Sequence, residues 1–249
     1  VNSSGVVASD VTGVGTARSL LAAVTYGFDK AIFGYGGNSG GKVSITNLVN
    51  NSGVVASDTT GVGTARTVLA AASYGGDKAI FGYGVTGSNV SLTNLVSNSG
   101  VVAADTTGVG TARQALAAVG YGGDKAIFAF GTTGSKTNIS NLVSNLGVVA
   151  SDTTGVGTSR NELAAASYGG DKGIFGYGSA GSRVSLTNLV SNLGVVSSDV
   201  SGVGSARRFP SAAGYGGDKG IFGYGHTGSR VSITNLVNNV GTVGSDVSG

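Results

Sequence analysis

The chain has 249 residues, of which 47 are glycine and 11% are charged, and its formal net charge is +3. A hydrophobic content of 40% with so little net charge excludes an intrinsically disordered chain. The single proline excludes a collagen-like one, and the lack of cysteine excludes disulfides, thiol catalysis and cysteine-ligated zinc. The basic residues are scattered rather than clustered, and no apolar run reaches the ~18 residues of a membrane span. We therefore expect no nucleic-acid binding and no membrane insertion.

The whole chain is an internal repeat. Segments related to GVVASD begin at Gly5, Gly53, Gly100, Gly147 and Gly194, and a partial sixth repeat begins at Gly241. Successive repeats start 47 or 48 residues apart, and neither a linker nor a change of composition interrupts the series. The sequence therefore predicts a single repeat domain over residues 1–249.

Each repeat predicts four short strands separated by glycine-rich turns. In the order of the chain these are segment D (Val6–Asp10), segment A (Ala17–Tyr26), segment B (Lys30–Gly36) and segment C (Val43–Val49). Apolar and polar residues alternate in segment C, as in a half-buried strand. The A–B connection reads YGGDK in four repeats, and its glycines supply the positive φ angles of a tight hairpin.

Four antiparallel strands every 47 residues are typical of a β-propeller blade. The small residues Ala70–Ala72 fit an innermost strand, and Ile80, Phe81 and Tyr83 fit a middle strand packed between sheets. The predicted fold is an all-β propeller of four-stranded antiparallel blades. It is five-bladed if the chain closes on itself, or an excerpt of a longer propeller array, because both ends carry the same part of the repeat. An open β-solenoid is the alternative.

In every repeat an arginine, a strand of small apolar residues, a turn and then KAIFGYG or a close variant follow one another. This order resembles a kelch-type blade without its tryptophan, in which an arginine-led first strand precedes an aromatic–glycine second strand. The resemblance implies kelch-like β-propeller repeats. The phrases GDKAIFGYG and TNLVSNSGVVA are similar to repeat proteins of bacteria and their phages, which implies an extracellular or virion-surface location.

An aspartate and an arginine recur in every repeat, on either side of the D–A loop. A group needed for folding must recur in each blade, whereas a catalytic group need occur only once. We therefore expect structural roles, with aspartates accepting turn N–H bonds and arginines bridging one blade to the next. The predicted structural residues are Arg18, Arg66, Arg113, Arg160, Arg207, Asp58, Asp105, Asp152 and Asp199. A ring of ligands for a metal such as calcium is the alternative.

Signals for catalysis are weak. The loop GVGTAR precedes a predicted strand rather than a helix, so it lacks the helix N-terminus on which nucleotide phosphates bind. A Ser-His-Asp triad would have to use His226, and a pair of carboxylates would need Glu162 or the repeated aspartates. We expect a protein that is not an enzyme and needs no cofactor or metal.

The repeats differ mainly after each arginine and in the B–C loops. In a four-stranded meander both connections emerge on one face, while the nearly constant A–B turn lies on the opposite face. A variable face on an invariant scaffold is typical of a binding protein, and drift of exposed loops is the alternative. The candidate ligand-binding residues are Gln114, Asn161, Glu162, Arg183, Arg208, Phe209, His226 and Arg230.

Two functions fit these patterns. The first is a recognition or adhesion module that binds a glycan or a protein on a cell surface through the variable face, as part of a phage fibre or surface adhesin. The second is a purely structural component of a virion or cell surface, whose partners are neighbouring subunits of an assembly.

Overall fold

A computed structural model describes residues 9–248, and all of their regular structure is β. Five antiparallel sheets of three strands follow one another along the chain, and we number them sheets 1 to 5. Residues 9–248 contain no helix, and hence none that is long and apolar enough to cross a membrane. The predicted all-β repeat architecture is confirmed.

In each sheet the strand that comes second in the chain lies in the centre, between the first and the third, and we call it the middle strand. The first strands are Ala22–Tyr26, Ala70–Tyr74, Ala117–Tyr121, Ala164–Tyr168 and Ser211–Tyr215. The middle strands are Lys30–Gly34, Lys78–Gly82, Lys125–Ala129, Lys172–Gly176 and Lys219–Gly223. The third strands are Thr46–Val49, Thr93–Val96, Ser140–Val143, Thr187–Val190 and Thr234–Val237. A two-residue hairpin pairs Gly37–Asn38 with Gly41–Lys42 beside sheet 1.

The first and middle strands are shorter than predicted because the backbone turns left-handed at two points in each repeat, and the third strand begins at Thr46 rather than Val43. Segment A was expected from Ala17, but Leu20 has a φ of 55°, so the strand begins only at Ala22. Segment B ends at Gly34 rather than Gly36, since Tyr35 has a φ of 65°. The equivalent residues have the same conformation in every sheet. The hairpin between the two strands has the positive φ angles that the glycines predict.

Segment D does not form the predicted fourth strand. Within the described residues only two isolated bridges join this segment to the third strand, Val55 to Val49 and Thr59 to Thr46. Between the two bridges the chain of segment D is one residue longer than the third strand. The extra residue is a bulge that interrupts the ladder. The Asn47 side chain spans the gap, because its amide donates to the carbonyl of Ala56 at 3.0 Å.

The segment D that completes each sheet therefore follows its third strand in the chain. At the end of the chain Val243 bridges to Val237 and completes sheet 5. The corresponding segment near the start, Val6–Asp10, lies mostly outside the described residues.

Consecutive sheets pack face to face, and the hydrophobic core consists of clusters that each lie between two neighbouring sheets. Ile32 of sheet 1 shares a cluster with Phe81 of sheet 2, and Ile80 of sheet 2 shares the next with Phe128 of sheet 3. Successive side chains of a strand point to opposite faces. Each middle strand thus presents its isoleucine to the following sheet and its phenylalanine to the preceding one.

The first strands of the five sheets lie next to one another along the row. Those of consecutive sheets contact one another, and the hydroxyl oxygens of Thr25 and Ser73 lie 3.0 Å apart. Among the described strands, the third strands of consecutive sheets do not pack together in this way. The sheets therefore fan out from the line of first strands, where alanine, serine and glycine permit close approach. Within residues 9–248 the strands of sheet 1 do not pack against those of sheet 5, so the described sheets form a row rather than a closed ring.

The packing of Phe81 can be tested against a matched residue. Phe81 is fully buried, with its ring centroid 5.3 Å from that of Tyr35, whereas Phe33 in the same position of sheet 1 is 36% exposed. We expect Phe81→Ala to lower the free energy of unfolding by about 3–5 kcal/mol. Phe33→Ala should cost no more than about 1–2 kcal/mol in dilute solution. Equal losses in urea unfolding would contradict the face-to-face packing.

Candidate functional site

The repeated arginines connect consecutive sheets. Arg66 is fully buried, and its guanidinium carbon lies 4.2 Å from the ring centroid of Tyr35 in the preceding sheet. Its Nε donates to the carbonyl of Tyr83 and its Nη2 to Oδ1 of Asn94, both in its own sheet. The same stacking on an aromatic ring of the preceding sheet is made by Arg113, Arg160 and Arg207. The guanidinium is thus satisfied within the fold, without an external ligand.

The repeated aspartates also bind the chain itself. Asp105 accepts hydrogen bonds from the backbone and hydroxyl of Thr64 and from the Asn94 amide. Burial raises the pKa of the Asp105 carboxyl, but these hydrogen bonds outweigh burial and hold the pKa below its usual value of 3.8. Equivalent hydrogen bonds are made by Asp58, Asp152, Asp199 and Asp246. No group of three or more histidine, aspartate or glutamate side chains within residues 9–248 could hold a metal ion.

The constant A–B turns are internally paired. Lys125 donates to Asp124 at 2.8 Å, and the same ion pair occurs in the turn of every sheet. Each turn is also tied to the next, since the backbone N–H of Gly75 donates to the carbonyl of Asp124 at 2.6 Å. These contacts account for the YGGDK residues as parts of the scaffold.

The two variable segments of each repeat lie side by side. Arg208, which follows the arginine of the fifth repeat, pairs with His226 of the B–C loop through backbone hydrogen bonds of 3.2 and 2.9 Å. His226 in turn bridges to Arg230 across its loop. Asn161 pairs with Ser179 in sheet 4 in the same way, and Gln114 pairs with Thr132 in sheet 3.

A backbone ladder joins the variable segments of successive sheets. The N–H of Phe209 donates to the carbonyl of Glu162 at 2.8 Å, and the N–H of Glu162 donates to Ala115 at 3.0 Å. The series continues through Val68 to Leu20. All five residues have φ between 52° and 58°, the left-handed conformation that L-residues seldom adopt. We call them the left-handed column.

The predicted ligand-binding residues of sheets 4 and 5 form one patch. Glu162 Oε2 lies 3.5 Å from Nη1 of Arg208, and the Arg208 guanidinium lies 5.3 Å from the Phe209 ring centroid. Arg183 and Arg208 line a cavity of about 200 Å³. Gln114 belongs to sheet 3 and pairs there with Thr132.

This patch contains buried polar atoms that the protein does not satisfy. Asn161 Oδ1, Glu162 Oε2, Arg208 Nε and His226 Nδ1 are each buried without a hydrogen-bond partner among the described residues. A buried donor or acceptor left without a partner costs about 1–3 kcal/mol. The four atoms comprise two acceptors, one donor and one imidazole nitrogen, which together are suited to a hydroxylated or charged ligand.

The asparagine of each third strand is a structural residue that the sequence prediction missed. Asn94 Oδ1 accepts a hydrogen bond from Arg66 Nη2 at 2.6 Å, and Asn94 Nδ2 donates to Asp105 Oδ1 at 2.9 Å. The asparagine thus links the repeated arginine to the repeated aspartate. Its signal was the unvarying asparagine that stands before Leu-Val in every repeat. The alternation of apolar and polar residues in segment C predicts only that this asparagine lies in a strand.

The contribution of arginine stacking can be measured with a matched pair. Arg113 lies over the Tyr83 ring of the preceding sheet, whereas Arg18 keeps the hydrogen bond to its own loop and has no preceding described sheet. We expect Arg113→Ala to lower the free energy of unfolding by about 3–5 kcal/mol, because it breaks a buried charged network. Arg18→Ala should lower the free energy of unfolding by at least about 1–2 kcal/mol less, because among the described residues Arg18 has neither the desolvated cation–π contact nor the Nε hydrogen bond that Arg113 makes to Phe130. Thermal and urea unfolding of both variants provide the comparison.

The aspartate hydrogen bonds predict a loss of stability in acid. Because the pKa of Asp105 is lower in the folded protein than in the unfolded chain, its stabilising effect is complete above the usual pKa. It is lost as the pH falls through the folded-state value. We expect Asp105→Asn to be less stable near neutral pH and to lose less further stability below pH ~4. Parallel curves of unfolding free energy against pH for the two proteins would refute this role.

Comparison with known proteins assigns no family to this arrangement. No family model matches the chain, and no curated protein matches it at a significant level.

Proposed function

We propose that the protein is a non-enzymatic recognition module that binds its ligand at the patch of Asn161, Glu162, Arg208, Phe209 and His226. In this proposal the five sheets are kelch-like blades of a propeller scaffold that the described residues do not close, and the module belongs to a phage fibre or surface adhesin. The scaffold holds the patch in place, and the ligand is a glycan or a protein on a cell surface.

The observation that carries the proposal is the coincidence of variability with unsatisfied polar atoms. The aspartates, the A–B turns and most arginine nitrogens of the scaffold find partners inside the fold. The scaffold atoms that are buried without a hydrogen-bond partner among residues 9–248 are Arg18 Nε, Asn141 Oδ1 and Arg207 Nε, whereas four such atoms lie together in the patch. Asn161 Oδ1 and His226 Nδ1 have no hydrogen-bond partner among the described residues, and Glu162 Oε2 has only the 3.5 Å ion pair with Arg208. A ligand hydroxyl could donate to the Asn161 and Glu162 oxygens, whereas a ligand carboxylate could accept only from Arg208 Nε or from His226 Nδ1 when that nitrogen carries a proton.

The side chains of the patch favour an acidic glycan among the possible ligands. Arg183 and Arg208 line the same cavity, and guanidinium groups bind carboxylates through paired hydrogen bonds. Phe209 is 54% exposed and offers an aromatic surface on which a sugar ring can stack. An acidic peptide is the other ligand that this chemistry accepts.

We expect one site rather than five. The positions of Arg208 and Phe209 hold Thr67 and Val68 in sheet 2, which supply neither the charge nor the aromatic ring. A lectin with equivalent sites would repeat its contacts in each blade. The proposed stoichiometry is therefore one ligand for each chain.

A glycan array followed by titration calorimetry tests the proposal. The variant is Arg208→Thr with Phe209→Val, which copies sheet 2, where Val68 has the same left-handed backbone with a φ of 57°. We expect binding of an acidic glycan by the native protein and at least about tenfold weaker binding by the variant, which is about 1.4 kcal/mol. Melting temperatures should remain similar.

Lys125→Gln on the opposite, constant face is the matched control and should bind as the native protein does. If the double variant binds unchanged, or if Lys125→Gln is the variant that loses binding, the ligand site is not the proposed patch. If no glycan binds but acidic peptides do, the ligand is a protein segment.

A further inference from the structure

The two ends of the row of sheets expose surfaces that are buried everywhere else. Phe33 of sheet 1 is 36% exposed, whereas its equivalents in sheets 2 to 5 are fully buried. Tyr224, after the middle strand of sheet 5, is 61% exposed, whereas Tyr35, Tyr83 and Tyr177 are fully buried. We call the surface around Phe33 the head face and the surface around Tyr224 the tail face.

The contact between sheets 4 and 5 shows how such faces fit together. The Phe222 ring packs edge-on against Tyr177, with the ring centroids 5.2 Å apart. It also lies over Gly176, where an added Cβ would be only 2.7 Å from the ring. Arg207 also stacks on the Tyr177 ring, with its guanidinium carbon 3.8 Å from the ring centroid. The same stacking of an aromatic pair and an arginine recurs between all consecutive sheets.

Backbone hydrogen bonds fix the relative position of the two sheets. Gly178 donates to the carbonyl of Arg207 at 2.9 Å, and Gly169 donates to the carbonyl of Asp218 at 2.7 Å. The Tyr177 hydroxyl donates to the carbonyl of Val203 at 3.2 Å. The two backbone bonds recur at every interface, and the hydroxyl bond recurs between sheets 1 and 2 and between sheets 2 and 3. Between sheets 3 and 4 the equivalent residue is Phe130, which has no hydroxyl.

The head face carries one half of this joint. Phe33 corresponds to Phe222, Arg18 to Arg207, and the carbonyls of Val14 and Asp29 to those of Val203 and Asp218. Val14, Arg18 and Phe33 line a largely apolar cavity of about 560 Å³. The Nε atom of Arg18 has no hydrogen-bond partner among the described residues.

The tail face carries the other half. Tyr224 corresponds to Tyr177, and Gly223, Gly225 and Gly216 correspond to Gly176, Gly178 and Gly169. A Cβ on Gly223 would meet only Thr234 of its own sheet, at 3.4 Å, so the place of the phenylalanine ring is open. Leu236, whose equivalent Leu189 packs against the joint between sheets 4 and 5, is 46% exposed.

We propose that the head face of one chain binds the tail face of a second copy, with the contacts that join consecutive sheets within the chain. Every donor, acceptor, ring and glycine of the internal joint has its counterpart on one of these two faces. The two faces differ, so the contact is heterologous and leaves one free face of each kind on a dimer. Such contacts continue into filaments, or close into rings when the rotation between copies permits. The proposal is independent of the ligand patch.

Two variants on opposite faces provide the test. Phe33→Glu places a charge in the head face, and Gly223→Glu places a side chain where the phenylalanine ring of the next copy must lie. Sedimentation velocity over a micromolar to millimolar range should show the native protein assembling beyond a dimer. Each variant alone should remain monomeric, because it has only one intact face.

An equimolar mixture of the two variants decides the geometry. The intact tail face of Phe33→Glu should bind the intact head face of Gly223→Glu, which gives a dimer that cannot extend. Phe28→Glu is the matched control, since Phe28 is 84% exposed in the A–B turn of sheet 1, and it should assemble as the native protein does. Circular dichroism confirms folding, and Val14→Glu and Leu236→Glu replace either variant that fails to fold.

The proposal is overturned if the native protein stays monomeric over the whole range. A monomer whose own head and tail faces bind each other would count as this outcome, because it does not bind a second copy. It is also overturned if either variant assembles like the native protein, or if the mixture gives no dimer.

Discussion

The fold depends on an arginine buried between an aromatic ring and an asparagine. A buried guanidinium is costly unless its charge and its donors are matched. Arg66 meets this requirement with the Tyr35 ring on one side and with the carbonyl of Tyr83 and the amide oxygen of Asn94 in its own sheet. Burial and the attraction of Asp199 act in opposite directions on Arg160, and its pKa falls only to about 10, so the guanidinium stays charged at neutral pH. Because the ring belongs to one sheet and the guanidinium to the next, neither sheet completes its core alone.

This dependence explains the division of the chain into constant and variable positions. The phenylalanine, the arginine and the asparagine each contact a neighbouring sheet or the group that does so. The residues after each arginine contribute mainly backbone hydrogen bonds, which do not require one particular side chain. The side chains at the positions of Arg208 and Glu162 can therefore differ between repeats while the contacts between the sheets stay the same.

The sequence predicted the repeat, the all-β class and the order of the strands, because a strict period and glycine-rich turns are local signals. It did not predict that segment D forms a bulge, since the bulge depends on the Asn47 amide reaching Ala56 across the gap. It placed the two variable segments on one face, and the structure brings Arg208 beside His226. It could not place Glu162 next to Arg208, because that contact depends on the stacking of sheets 4 and 5. Nor could it predict the exposed end faces, since Phe33 and Phe81 stand in identical local sequences.

The left-handed column places an unfavourable backbone conformation at one position of each sheet. A non-glycine residue held in this conformation costs on the order of 1–3 kcal/mol, and none of the five positions is glycine in a chain with 47 glycines. Leu20 and Phe209 are more than half exposed, so their side chains gain little from the core in return. Glycine in the column would relax the backbone and leave the ladder intact, but it would remove the side chains of the column. The protein thus carries conformational strain in every sheet, and at the two ends of the column the strained residues Leu20 and Phe209 expose large apolar side chains.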